Sequence, residues 1–224
     1  MSEEYLMTGS FGLDVDAWQG SFYDDDLPSE WRIASYSTLL RSVLLPQEEW
    51  RRAIDHHWID EVDEEFRFVL YANSPAANDP QALLNELSSL PGAFSAQVAG
   101  LVLHYDSGSE NNEMSSTILE LKALFPVCLD AGMDDYSSSG VDVMCQKAQV
   151  SSVWYPAAQA APLPSGDLLV ALIDQQTLPQ QREVVEKIDN WMSGKRSAGL
   201  FNMNKNDAPL RAQETRILAE LMGV

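Results

Sequence analysis

A carboxylate and an imidazole at the carboxyl ends of two apolar runs are the residues best typed for chemistry in this chain. Asp130 closes PVCLD and His104 closes GLVLH. A carboxylate suits proton transfer or a hard cation, and histidine is the commonest general base near neutral pH. Each needs an accomplice. Two catalytic carboxyls work when their environments separate their pKa values, and the other acids at run ends are Asp106 and Asp174. If those two converge with Asp130, the three would suit Mg²⁺; capping of the following helices is the plainer expectation. No Ser or Cys nucleophile stands beside His104, so Asp130 and His104 are weak catalytic candidates. His56 and His57 are adjacent on one predicted helix. They therefore point apart and are not the i, i+4 pair that zinc requires. No metal site is expected, and no cofactor either: GxGxxG, P-loop, HExxH and GxSxG patterns are missing from the sequence.

A second set of residues suits binding. The stretch TGSFGLDVDAWQGSFYDDDLP, residues 8–28, places Gly9, Gly12 and Gly20 among Trp18, Phe22 and Tyr23. Glycines admit positive φ or close backbone approach, and large aromatics in a loop need a pocket or a ligand. Trp18 and Tyr23 are candidates to stack on a ligand beside Gly9 and Gly12, with packing under neighbouring loops as the competing expectation. Near the other end, Asn202 and Asn204 are candidate polar contacts. Lys205 and the helix start at Ala208 and Pro209 could hold an anion there.

The elements that must position these residues recur along the chain. Eight short aliphatic runs are each followed by a polar segment, mostly of helical period, which is the pattern of β/α units around a parallel sheet. They are Tyr5 to Ser10, Ser42 to Leu45, Phe66 to Ala72, Gly100 to Tyr105, Pro126 to Ala131, Val150 to Tyr155, Leu168 to Ile173 and Ala198 to Met203. Helices are predicted from Ser29 to about Leu40, from Pro46 through QEEWRRAIDHHW, from Pro80, and over 115–124, 141–149, 180–192 and 209–222. The sixth unit is irregular, because Pro162 and Pro164 exclude a full helix there. Eight repeats in 224 residues predict an α/β fold, a TIM-like (β/α)₈ barrel with shortened or irregular helices, spanning 1–224 as one domain. A doubly wound open sheet is the runner-up.

Composition limits the partners. With 14 Lys plus Arg against 34 Asp plus Glu, the formal charge of −20 repels polyanions, so neither nucleic acid nor an anionic membrane is expected. MSEEYLMTG is acidic without an apolar core, and no run approaches a membrane span. Cys128 and Cys145 sit in apolar surroundings, which suits buried thiols in a reducing cytoplasm.

The opening stretch resembles the YecE-like family, domain of unknown function 72. Gly9, Gly12, Trp18, Gly20, Phe22, Tyr23, Leu27 and Pro28 fall at the family's spacing. EEFRFVLYA at 64–72 is similar to its third strand, and Phe201, Asn202, Ala208, Pro209 and Ala212 match its last unit. The resemblance implies a barrel. Equally informative are the departures: Leu44 stands where the family has a glutamate and Tyr71 where it has a lysine. Asp130 and Gly132 stand for a glutamate and an arginine, and Ala171 and Ile173 for an arginine and a histidine. The family's charged strand ends are thus largely replaced. The expectation is a divergent member with a degenerate strand-end site that binds a small molecule or a protein. The alternative is a hydrolase, lyase or isomerase of a small phosphorylated or sugar-like substrate.

Overall fold

The computed structural model describes residues 6–13, 15–73, 80–105, 112–133, 140–163, 165–192 and 197–224. In chain order the elements are β1 (Met7–Ser10), α1 (Arg32–Ser37), β2 (Ser42–Pro46), α2 (Gln47–Asp55), β3 (Arg67–Ala72), α3 (Pro80–Ser88), α4 (Gly92–Ala96) and β4 (Val98–His104). They continue with α5 (Asn112–Leu124), β5 (Val127–Asp130), α6 (Val141–Ala148), β6 (Ser151–Ser152), β7 (Leu168–Ile173), α7 (Leu178–Met192), β8 (Ser197–Asn202) and α8 (Ala208–Met222).

All strand pairs are parallel, so the α/β alternation holds. The expected closed eight-stranded barrel does not. The strands form two sheets, one of order β1-β8-β7 and one of order β2-β3-β4-β5-β6. A single open doubly wound sheet is excluded by the same division. Between the sheets the strand pairing among the described residues is limited to isolated bridges, Phe11 with Leu44 and Trp154 with Ala171.

Side-chain hydroxyls bridge both seams. At the first seam the Tyr36 phenol sits between strands, accepting from Ser10 N at 2.9 Å and donating to Ser42 O at 3.0 Å. Ser42 Oγ donates to Thr8 O at 3.0 Å. At the second seam Ser151 Oγ donates to Leu168 O. Every buried backbone group needs a partner, and here side chains supply what a neighbouring strand would. The sixth run, expected over Val150 to Tyr155, pairs as a strand only at Ser151–Ser152.

Period-two alternation sorts the strand residues into two layers. Leu44, Val69, Val102, Cys128, Val153, Val170 and Phe201 pack on one another between the sheets. Val43, Leu45, Phe68, Leu70, Leu101, Leu103, Val127 and Leu129 pack outward, within the cluster that includes Trp50, Phe94, Ile118 and Leu121 of the helices. β7 is buried at every position, LLVALI, as a strand covered on both faces must be. Helix α8 carries Pro in its first turn and ends at Gly223 with φ 80°, the usual left-handed stop.

Candidate functional site

On four of the runs the inward row ends in a polar residue. Two residues beyond Val69, Val102, Cys128 and Val153 stand Tyr71, His104, Asp130 and Tyr155. The pleat therefore carries Tyr71, His104 and Asp130 to the carboxyl ends of β3, β4 and β5, and Tyr155 lies in the segment just beyond β6, above the apolar layer. His104 and Asp130 are register partners in the β4–β5 ladder.

Asp130 is the centre of this group and is 3% exposed. Its Oδ2 accepts the Tyr71 hydroxyl at 2.8 Å, and its Oδ1 accepts the Tyr155 hydroxyl and the Gly132 N–H, each at 2.8 Å. The Tyr71 oxygen also lies 3.3 Å from His104 Nδ1. Half-buried His104 has no other protein partner among the described residues. Burial, then the adjacent Asp130 charge and hydrogen bond, push the phenols of Tyr71 and Tyr155 far above the usual tyrosine range. Burial does the same to Tyr36 and pushes the Cys128 thiol up to about 12.

These shifts set an alkaline limit. A group whose proton is held more tightly in the folded state stabilises fully below its unfolded pKa and loses that contribution as pH rises towards its folded pKa. The Cys128 contribution therefore begins to fall near pH 8.5, and those of the three tyrosines near pH 10. Above pH 10 the phenols alone should weaken folding by up to about 4 kcal/mol per pH unit. Urea midpoints measured from pH 8 to 11 should drop with that steepening, and ultraviolet absorbance should show these phenols ionising only as the chain unfolds. Free titration of every tyrosine in the folded protein would contradict it.

The first loop is built differently from a ligand platform. A Cβ on Gly9 would collide with the Ser42 carbonyl, so Gly9 lets β1 lie against β2. Gly12 has φ 85°, and a Cβ there would lie 3.1 Å from a Glu49 carboxylate oxygen. Trp18 is 1% exposed and its indole N–H donates to Lys205 O at 3.0 Å, tying the first loop to the last. Tyr23 is 2% exposed, donates to Leu13 O at 3.0 Å and lies under the Arg32 guanidinium. Both rings are thus buried with their polar atoms paired.

Asn202 follows the parity of Leu200, which packs among α7 and α8 residues, and is 1% exposed. Its amide donates to Asp174 O at 3.3 Å and accepts from Asn204 N at 3.0 Å. Asn204 donates to the Asp174 carboxylate at 2.8 Å and accepts from Asn206 N at 2.9 Å. The two asparagines and Asp174 therefore form a loop-ordering network between β7 and β8. Asp106 lies outside the described residues. His56 and His57 are exposed at the end of α2, away from the strand ends. Among the described residues no group of three His, Cys, Asp or Glu is placed to hold a metal.

Tyr71 and Tyr155 were not among the expected site residues. Period two would have found them, since each stands two positions beyond an inward valine. A cleft of about 550 Å³ opens beside this cluster, lined by Pro46, Gln47, Glu48, Glu49, Arg52 and Asn73. Pro46 is the register partner of Tyr71, so the cleft adjoins the end of β3.

No family profile matches the chain, and no curated protein resembles it in sequence. Solved structures do resemble it. A DUF72 family protein of Thermotoga maritima superposes with TM-score 0.68 at 11% identity, over 96% of this chain and 100% of that one. A DUF72 family protein of Enterococcus faecalis gives TM-score 0.57 at 13% identity over 99% and 100%. A second crystal structure under that Enterococcus name gives 0.62 at 12% identity over 98% and 96%. At such identity the likeness speaks for the fold. The fold of the chain is similar to that of these DUF72 family proteins.

Proposed function

We propose that the chain is a binding module for a small, polar, uncharged or cationic molecule, held at the carboxyl ends of β3 to β6. The observation that carries this reading is the convergence of Tyr71, His104, Asp130 and Tyr155 above a filled apolar layer. Strand ends are where parallel α/β folds collect ligand contacts. The Asp130 oxygens are already engaged by three donors, which suits holding a shape better than shuttling a proton. The net charge of −20 disfavours an anionic ligand.

The test is thermal unfolding of the full chain with neutral sugars and polyols and with small amines. A ligand at a hundred times its dissociation constant adds about 2.7 kcal/mol, or about 5–10 °C in Tm for a domain this size. The shift should vanish in His104→Ala and survive in His56→Ala. A panel without any shift, or a shift that His104→Ala leaves intact, would sink the reading.

One observation favours an enzyme instead: His104, Tyr71 and Asp130 form a hydrogen-bonded chain of the kind that moves protons. On that reading the substrate is sugar-like, and turnover rather than binding would be lost in His104→Gln.

A further inference from the structure

The hydrogen bonds around Asp130 fix where the protons lie, and with them the character of His104. Tyr71 has one hydroxyl hydrogen and two neighbours, Asp130 Oδ2 at 2.8 Å and His104 Nδ1 at 3.3 Å. Three donors, Tyr71, Tyr155 and the Gly132 N–H, point at Asp130. An ionised carboxylate accepts only, and it is the form that can receive all three. The Tyr71 hydrogen therefore goes to Asp130 by the shorter and charge-assisted bond. Its oxygen is left as an acceptor towards His104, and a neutral imidazole can meet it only with a proton on Nδ1. That choice empties Nε2.

We infer that Nε2 of His104 is the hydrogen-bond acceptor of the strand-end site, fixed in that role by the relay His104 Nδ1–H to Tyr71 O–H to Asp130. Tyr71 and Asp130 are then positioning residues that act through the imidazole. This assignment deepens the binding-module reading and rests on it for its ligand: a molecule that presents a hydroxyl or ammonium hydrogen to Nε2. Ligands offering only acceptors, such as carboxylates and phosphates, would face a lone pair there. The exposed imidazoles His56 and His57 have no such relay and serve as internal references.

Long-range proton–nitrogen correlation spectra of the ¹⁵N-labelled full chain test the assignment without any ligand. They are recorded near pH 8, above the ordinary histidine pKa of about 6.5. The expected result is a His104 imidazole protonated on Nδ1 and bare on Nε2, with His56 and His57 showing the mixed pattern of free imidazoles. In Tyr71→Phe the His104 signals should move to that mixed pattern. A wild-type His104 protonated on Nε2 would overturn the inference, and so would a tautomer that Tyr71→Phe leaves unchanged. If Tyr71→Phe does not fold, the wild-type spectrum alone decides. A bare Nε2 with no neutral or cationic ligand found would count against the proposed function while leaving the proton assignment standing.

Discussion

Gly9→Ala should unfold the protein or cost it more than about 3 kcal/mol, a large effect for one methyl group. The added carbon would be driven into the backbone carbonyl of Ser42 and would come within 3.1 Å of the Tyr36 hydroxyl. Neither can yield cheaply. Ser42 belongs to β2, and the Tyr36 phenol accepts from Ser10 N and Oγ and donates to Ser42 O, so displacing it breaks three hydrogen bonds at the seam between the sheets. Tyr36 is fully buried and has no other place to go. Gly92→Ala is the control, since Gly92 lies in α4 and a Cβ there meets nothing within 4 Å. It should be neutral or slightly stabilising, because alanine is the better helix former. Urea unfolding of both variants measures the contrast. Equal stability in the two would show that the β1–β2 seam does not depend on close approach.

Asp130→Ala should cost about 2–4 kcal/mol, although the residue it removes is a buried acid with no basic partner among the described residues. Deleting the carboxylate leaves the hydroxyls of Tyr71 and Tyr155 without their acceptor inside the protein, and each orphaned donor costs about 1–3 kcal/mol. Tyr71 can recover by turning its hydrogen to His104 Nδ1 once the imidazole moves its proton to Nε2, whereas Tyr155 has no second acceptor among the described residues. Asp130→Asn keeps one carbonyl oxygen and should cost only about 1 kcal/mol. The cost should also be non-additive: in a Tyr155→Phe background, Asp130→Ala should lose at least about 1 kcal/mol of its effect, as directly bonded residues do in double-mutant cycles. Additive losses would mean that the two side chains do not share a hydrogen bond in solution.

Both predictions concern residues whose types were plain in the sequence but whose partners were not. Asp130 and His104 were picked out as strand-end residues, and they do end β5 and β4 side by side. The tyrosines that give them meaning were missed, because an aromatic at the end of an apolar run reads as more of the same core. Trp18 and Tyr23 show the opposite case. Aromatics in a glycine-rich loop invited a ligand, yet their rings are buried and their polar atoms are paired with Lys205 O and Leu13 O, the first of them far away in sequence. Asn202 and Asn204 were legible as polar residues near a strand end, but which side of β8 Asn202 faces depends on the parity set by Phe201 and Leu200.

The sequence by itself determined the alternation of strand and helix and the parallel pairing that follows from it, because these depend on local periodicity and on short connections. It also determined the glycine-rich opening loop and the two strand-end residues at the centre of the candidate site. Only the tertiary structure decided that the eight strands divide into two sheets. The Tyr36 hydroxyl reaches the first seam from α1 and the Ser151 hydroxyl reaches the second from β6, and no local pattern marks either as a bridge between sheets. The proton chain through Asp130 was decided in the same way, since it joins residues of three strands and Tyr155 of the segment after β6, and each bond exists only once the sheet has brought them together.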